Sequence, residues 1–285
     1  MTHDRIGNCN CWPPRIERTQ RVLSRANIDL TTVIEASDLY PRANKSQHAF
    51  CLDVDRSGND VRILANIVPG EYWSEIMLHE SGHAAYDVSI DPKLPYLLRR
   101  PAHTFVTEAV ALLSGRLVRD PDWLQDLAAI APADIELIAD DLRKANAAQS
   151  LLFARWCLVM THFERDLYSD PEADLNQRWW ELVERFQSVQ APQGRTSADW
   201  AAKIHVAVAP VYYQNYLLGD VLASQLLATA RREFDRVVGV AAAGGFLVDR
   251  LFRPGNLMRW DFLVEEATGR ALGPTDLADE LGALL

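Results

Sequence analysis

The chain has 285 residues, of which 48% are hydrophobic, and a formal net charge of −10 at pH 7. A chain of this length and composition can bury a large core, as one big domain or two small ones. The negative charge argues against nucleic acid and anionic membrane surfaces as partners, because both attract a basic protein face. We therefore expect no nucleic-acid partner and no membrane partner.

The first residues lack the features of an export signal. Residues 1–11 are polar, and the longest apolar run, around residues 237–248, is too short to span a bilayer. The spacing of the four cysteines fits no disulfide framework, and the Cys-x-Cys pair is too short and isolated to form a zinc site. The cysteines are Cys9, Cys11, Cys51 and Cys157. These features predict a cytoplasmic protein.

Residues 14–37 are predicted to be helical, because apolar side chains recur there at helical spacing. The apolar set is Ile16, Val22, Leu23, Ile28, Leu30, Val33 and Ile34. A polar loop, residues 41–46, follows. We expect residues 1–46 to form an N-terminal helical segment that packs on a main domain of residues 47–285, the two making one structural unit.

Two strands are predicted over residues 48–55 and 60–68. The residues between them, Arg56-Ser57-Gly58-Asn59, are turn formers, so the pair is expected to form a hairpin. The hairpin leads through Pro69-Gly70 directly into the next helix. Such a strand can provide an edge along which an extended peptide binds by main-chain hydrogen bonds. The alternative is a small hairpin with a purely structural role.

The segment Ile76–Asp87 carries the motif His79-Glu80-x-x-His83 inside an apolar, helix-compatible run. Positions i and i+4 share one face of a helix, so His79 and His83 can direct both imidazoles at one metal ion. Glu80 lies beside that face, where its carboxylate can reach a water bound to the metal. The motif predicts a zinc site. Asp87, one turn past His83, either orients a ligand or is a surface charge at the helix end.

A third ligand is expected in the next predicted helix, residues 101–115, because zinc sites in hydrolases use three protein ligands and leave a fourth position for water. Its candidates are His103 and Glu108, which point about 140° apart around a helix and so cannot both face one ion. His103 lies in the first turn, whereas Glu108 lies in the apolar middle, where an unpaired carboxylate is costly. We choose Glu108; the alternative is a surface carboxylate.

The rest of the chain is predicted to be almost entirely helical, with Pro and Gly residues between the helices. These helices cover residues 121–131, 133–168, 171–189, 210–234, 238–252, 257–268 and 274–284. The sequence has no internal repeat and no heptad pattern long enough for a coiled coil. The expected fold class is mostly α with one small hairpin beside the zinc helix.

A third group of candidate functional side chains lies farther along the chain. Lys203 and His205 alternate with apolar residues, which predicts an extended segment with both side chains on one side. On the helix that follows, Tyr212 and Tyr213 are the i, i+4 and i, i+3 neighbours of Tyr216. An imidazole and phenols directed at one place can donate hydrogen bonds to a developing oxyanion. The alternative is that the tyrosines are core residues.

Together these motifs resemble two related families of zinc peptidases. A His-Glu-x-Gly-His motif, a Glu about twenty-five residues later, and a Lys-x-His motif before a Tyr-rich helix occur in this order. The order resembles the thimet-oligopeptidase family and the related angiotensin-converting-enzyme family of peptidyl dipeptidases. The match is most specific over residues 79–122, and residues 203–220 support it. Residues 37–68 are similar to the segment before the zinc helix in bacterial oligopeptidases of this group.

The resemblance implies a zincin-like helical catalytic domain in residues 47–285 and Zn²⁺ as its cofactor. It implies His79, His83 and Glu108 as zinc ligands. Glu80 is implied as the general base that accepts a proton from zinc-bound water and later passes it to the leaving amine. The expected activity is hydrolysis of peptide bonds in short peptides, of the oligopeptidase or peptidyl-dipeptidase type.

The same resemblance implies roles in substrate binding. By likeness to the Lys-x-His motif, Lys203 holds a substrate carboxylate and His205 holds a substrate carbonyl. One of Tyr212, Tyr213 and Tyr216 is the oxyanion donor, and their spacing does not decide which one.

Two departures from these families leave other functions open. Their members are about twice as long, the additional half forming the opposite wall of a deep channel, and the acidic residue one turn after the third ligand in the converting-enzyme group is here Leu112. One alternative is a catalytically weak zinc protein that binds peptides. Another is a processing peptidase whose cleft is completed by a partner chain or by a second copy in a homodimer. The intact Glu80 favours hydrolysis over binding alone.

Overall fold

The computed structural model describes residues 23–126 and 128–284, and it confirms a mostly helical class with one small sheet. The helices are α1 (Thr31–Ala36), α2 (Glu71–Ser89), α3 (Thr104–Arg116), α4 (Pro121–Asp126), α5 (Pro132–Ser169), α6 (Leu175–Gln187), α7 (Ile204–Val208), α8 (Tyr213–Glu233), α9 (Ala241–Leu247), α10 (Trp260–Thr268) and α11 (Thr275–Leu281). The strands are β1 (Phe50–Asp53) and β2 (Val61–Leu64). Single-turn helices cover Tyr96–Leu98, Leu117–Arg119, Asp199–Ala202, Val248–Phe252 and Gly282–Leu284.

The predicted hairpin is present, with strands shorter than expected. β1 and β2 pair antiparallel, with Phe50 opposite Leu64. Gly58 has φ +74° in the connecting turn, a conformation that glycine adopts without a steric penalty. A bridge from Asp38 to Leu64 covers part of the β2 edge. Among the described residues no strand pairs with the outer edge of β1.

Three helices, α2, α3 and α8, pack closely at the centre of the molecule. Glycines permit this approach: a Cβ on Gly82 of α2 would lie 2.8 Å from the Cα of Ala111 on α3. A Cβ on Gly219 of α8 would lie 3.0 Å from the Cβ of Glu108. The largest apolar core includes side chains of all three helices, among them Met77, Ala85, Val106, Val110 and Leu222. The face of α2 that carries Gly82 is therefore held against α3.

The described part of the amino-terminal segment packs on this same core through Ile28, Leu30, Val33 and Leu39. The prediction of one continuous helix over residues 14–37 is wrong within the described residues. The helix ends near residue 25 and Asn27 has φ +62°, which breaks the helical path before α1 begins. Residues 14–22 of that prediction, with Cys9 and Cys11, lie outside the described residues. Cys51 and Cys157 are free thiols.

A second apolar cluster joins α5 and α6 to the start of α8. It contains Met160, Phe163, Trp179, Leu182 and Tyr213. The loop between α6 and α8 crosses this cluster. The extended segment predicted around Lys203 and His205 is wrong, because His205 lies in α7 and Lys203 caps it. Within the described part of the chain, no helix has both the length and the apolar character needed to cross a bilayer.

Candidate metal centre

Helix α2 presents His79 and His83 on the same face. Gly70, with φ +145°, precedes the first turn, and Met77 and Ala84 are fully buried on the opposite side. The two imidazole rings have centroids 5.1 Å apart and stand nearly perpendicular, at 81°. This arrangement places both Nε2 atoms toward α3, as helical spacing predicts.

Glu108 of α3 meets the two histidines. Its Oε2 lies 3.7 Å from the Nε2 of His79 and 3.7 Å from that of His83. The side chain is 2% exposed, and Oε2 has no hydrogen-bond partner among the described residues. The alternative in which Glu108 is a surface carboxylate is therefore wrong. His103 instead caps α3, its Nδ1 accepting a hydrogen bond from the main-chain N–H of Phe105 at 3.3 Å.

These three side chains fit a metal ion. One ligand atom from each lies within 4.8 Å of the others, the only such group found among the described residues. Two neutral imidazoles and one carboxylate form a donor set that zinc uses in hydrolases, with ligand distances of about 2 Å. A cation between them would also satisfy the buried Oε2, which otherwise has no partner.

The electrostatics of the site favour a cation. Burial lowers the pKa of His79 to about 4 and that of His83 well below its usual range, so both rings are neutral near pH 7. Burial raises the pKa of Glu108 to about 7, and a hydrogen bond from Tyr212 opposes this rise. Neutral imidazoles are the form that binds metal, and a buried carboxylate gains from a nearby positive charge.

Thr107 contacts the outer nitrogen of His83. Its Oγ1 lies 2.8 Å from Nδ1, so the hydroxyl can accept the Nδ1–H and leave the Nε2 lone pair for a metal. Sequence reasoning missed this residue. The available signal was a threonine directly before Glu108 in an otherwise apolar helix.

Asp87 does not contact His83 in this way. It lines the metal-site pocket, and its pKa is raised to about 7, by burial first and by Asp53 second. The residue is partly exposed near the carboxyl end of α2, so the alternative of a charge at the helix end stays a prediction. The orienting contact to His83 comes from Thr107.

Glu80 lies beside the ligands and is 6% exposed. Its pKa is raised to about 8, mainly by burial and next by the charge of Glu108, while the main-chain N–H of Cys51 on β1 opposes the rise. Glu80 and β1 line the same pocket, which has a volume of about 370 Å³. Glu80, the candidate base, thus faces the space between the candidate metal ligands and the outer edge of β1.

The three tyrosines lie in different environments. Tyr212 donates a hydrogen bond to Oε1 of Glu108, and Tyr216 has its hydroxyl 3.2 Å from Nε2 of His205. Both tyrosines line the metal-site pocket. Tyr213 is 9% exposed and its hydroxyl accepts a hydrogen bond from Nε1 of Trp156 at 3.3 Å. Tyr213 is therefore the core residue of the three.

Lys203 lies away from the residues that line this pocket. Its Nζ is 5.0 Å from the ring centroid of Trp156 and 6.0 Å from that of Trp179, a cation–π arrangement. His205 connects the two regions through Tyr216. Burial lowers the pKa of His205, the charge of His48 adds to this effect, and Glu164 opposes it.

The chain is similar to known peptidases. A family model described as peptidase M2, angiotensin-converting enzyme, matches residues 44–239. An inactive angiotensin-converting enzyme-related protein of Caenorhabditis elegans is 27% identical over 187 residues, which cover 63% of this chain and 20% of that protein. The angiotensin-converting enzyme of Theromyzon tessulatum is 22% identical over 222 residues, which cover 74% of this chain and 36% of that protein. The matched region is thus at most 36% of these curated relatives.

The fold is similar to that of a solved peptidase. The M32 carboxypeptidase from Deinococcus radiodurans R1 superposes with a TM-score of 0.73 at 21% identity, covering 98% of this chain and 59% of that one. This likeness confirms the predicted zincin-like fold. The thimet-oligopeptidase side of the resemblance stays a prediction. The family match extends over most of the chain and includes both ligand helices, and on that ground the chain belongs to the peptidase M2 family of angiotensin-converting enzyme.

Proposed function

We propose that the chain is a zinc-dependent peptidase that hydrolyses peptide bonds in short peptides. The observation that carries the proposal is the buried Oε2 of Glu108, which faces the Nε2 atoms of His79 and His83 and has no other partner among the described residues. A cation bound there joins the three side chains. Membership of the peptidase M2 family supports zinc as that cation.

Glu80 is the proposed general base. When bound, zinc supplies a water of lowered pKa and polarises the scissile carbonyl. Glu80 accepts a proton at its carboxylate and passes it to the leaving amine nitrogen. Its burial and its position in the pocket support this role, because a carboxyl group with a raised pKa can both accept and return a proton near neutral pH.

Tyr216 and His205 are the proposed oxyanion donors. Their polar atoms lie 3.2 Å apart, and Tyr216 lines the pocket, which supports a role for both in binding one substrate oxygen. Tyr212 is not proposed as an oxyanion donor, since its hydroxyl already donates a hydrogen bond to Glu108. Tyr213 is excluded by its bond with Trp156 in the second apolar cluster.

The peptide substrate is proposed to lie along the free edge of β1. The strand borders the metal-site pocket, and the main-chain N–H of Cys51 lies beside Glu80. An extended peptide can add to such an edge by main-chain hydrogen bonds. Lys203 is proposed to hold the carboxylate of the substrate at the His205 end. Its ammonium lies over the rings of Trp156 and Trp179 and also interacts with the charge of Asp199.

A second candidate function is peptide binding without turnover. It is favoured by the C. elegans relative, which is named as inactive. A third form is a peptidase whose cleft needs a second copy or a partner chain. The exposed side chains of Phe50 and Leu52 at the pocket rim, 46% and 53% accessible, favour this form.

The test compares the wild type with Glu80→Gln for zinc content and for cleavage of a mixed set of quenched short peptides. We expect about one zinc per chain in both proteins, and cleavage by the wild type alone, abolished by a chelator. Mass spectrometry of the products would show whether single residues, dipeptides or internal fragments are released. Zinc in both proteins without cleavage in either would contradict hydrolysis by this chain alone. A specific activity (the cleavage rate per chain) that rises with protein concentration would support the dimeric form.

A further inference from the structure

Val211 has an unusual backbone conformation directly before the tyrosine helix α8. Its φ is +57°, in the left-handed region, where a β-branched residue is strongly disfavoured. Its side chain is 58% exposed, so apolar packing of that side chain does not compensate for the strain. Contacts of the main chain must therefore stabilise this conformation.

A buried carboxylate supplies one of these contacts. Glu164 of α5 is 6% exposed, and its Oε1 accepts a hydrogen bond from the main-chain N–H of Val211 at 2.6 Å. The same oxygen accepts a hydrogen bond from the hydroxyl of Tyr168 at 2.7 Å. Nε2 of Gln214 donates to the carbonyl of Val211 at 2.6 Å. Side chains thus hold both polar groups of the Val211 main chain.

The direction of the chain at Val211 decides where the functional phenols lie. Tyr212 follows immediately and donates to Glu108, and Tyr216, one turn later, meets His205. A small rotation at this residue would move both hydroxyl groups. Displacements of about 1 Å in such positions can lower a catalysed rate by about a hundredfold.

We propose that Glu164 is a positioning residue. Its carboxylate stabilises the left-handed backbone of Val211 and so directs Tyr212 at Glu108 and Tyr216 at His205. The catalytic consequence of this contact rests on the proposed function. Its consequence for metal binding does not, because Tyr212 contacts the Glu108 carboxylate whether or not the chain hydrolyses peptides.

The test uses Glu164→Ala and the double variant Glu164→Ala with Val211→Gly. Two readouts are needed: zinc affinity, by competition with a chromophoric chelator, and kcat and KM on a quenched peptide. Glu164→Ala is expected to weaken zinc binding and lower kcat by about tenfold each, with KM nearly unchanged. Glycine adopts positive φ without strain, so the double variant is expected to regain most of both losses. A lost packing contact would not be rescued in this way.

Two further variants serve as controls. Glu164→Gln keeps an acceptor oxygen for Val211 and should stay close to wild type. Tyr168→Phe removes the other hydrogen bond to the same oxygen and should also change neither readout. The proposal is overturned by a double variant as impaired as Glu164→Ala, or by a Glu164→Ala protein with wild-type zinc affinity and kcat.

If Glu164→Ala does not fold, Val211→Pro tests the same contact from an exposed position. Proline has no N–H and fixes φ near −65°, so it removes the contact without changing α5. Zinc affinity equal to wild type in a folded Val211→Pro protein would overturn the proposal. If the wild type binds zinc but cleaves no peptide, the proposed function fails, while the zinc measurements still decide the role of Glu164.

Discussion

Thr107 shows how much of the candidate site depends on single hydrogen bonds. Its hydroxyl contacts Nδ1 of His83 at 2.8 Å. In the tautomer with a proton on Nδ1, the hydroxyl accepts this hydrogen bond and the lone pair of Nε2 is available to a metal. Polar groups that contact the outer nitrogen of a metal-binding histidine are worth about 10- to 100-fold in metal affinity. The contact is thus a direct way to test the proposed metal site.

Thr107→Val is expected to lower zinc affinity by about 10- to 100-fold, because valine has nearly the same shape and no acceptor. Thr107→Ser keeps the hydroxyl and serves as the matched control. Zinc affinity is measured by chelator competition, with circular dichroism to confirm that both variants are folded. Equal affinity in the valine and serine variants would contradict the role of this contact.

At the residue scale, the sequence predicted which side chains would lie together at the candidate site but not the groups that contact them. His79, Glu80 and His83 form a local pattern, and the cost of an unpaired carboxylate in an apolar helix identified Glu108 over His103. Thr107 and the separate environments of the three tyrosines were not predictable, because they depend on how distant helices meet. The position of Lys203 against Trp156 and Trp179 was not predictable for the same reason.

At the scale of elements, the close packing of α2 on α3 brings His79, His83 and Glu108 together. Gly82 lies between the two histidines on α2 and faces Ala111, Ser114 and Val110 of α3. A Cβ at this position would come within 2.8 Å of Ala111 Cα and Ser114 Oγ. Contacts that short force the helices apart.

Gly82→Ala is expected to lower the free energy of unfolding by about 1–3 kcal/mol and to weaken zinc binding, because α3 carries Glu108. Gly245→Ala in α9 is the control, since no atom lies within 4 Å of a Cβ there. The helix preference of alanine should stabilise that variant by about 0.5–1 kcal/mol. Urea unfolding and chelator competition provide the two readouts. A Gly82→Ala protein as stable as Gly245→Ala would show that the helices are not in close contact.

The elements that the sequence predicted correctly have strong local signals. The hairpin has a turn containing Gly58, and α2 and α5 have long apolar patterns. The prediction of an extended segment around His205 was wrong because a short polar–apolar alternation also fits a single helical turn. There the tertiary contacts of His205 with Tyr213 and Tyr216 decide the outcome. The helix predicted over residues 14–37 is interrupted at Asn27, because asparagine tolerates a positive φ.

For the whole molecule, zinc is expected to act as a cross-link between α2 and α3. A ligand that binds only the folded state stabilises it by about 2.7 kcal/mol at one hundred times its Kd. For a chain of this size, with an unfolding entropy of about 2.1 cal/mol/K per residue, that corresponds to a rise in Tm of about 5 °C. Differential scanning fluorimetry with zinc and with chelator measures the shift, and His79→Ala should lose it. An equal shift in both proteins would mean that zinc binds elsewhere.

Two contacts of the candidate site close chain loops of very different length. His83 and Thr107 are 24 residues apart, whereas Tyr212 and Glu108 are separated by 104 residues. The entropy of loop closure grows with the logarithm of loop length, so the second contact costs about 1.3 kcal/mol more to close. During folding, the ligand helices can therefore meet before α8 arrives. A nascent chain would bring the proposed zinc ligands together earlier than it places Tyr216, a proposed oxyanion donor, beside them.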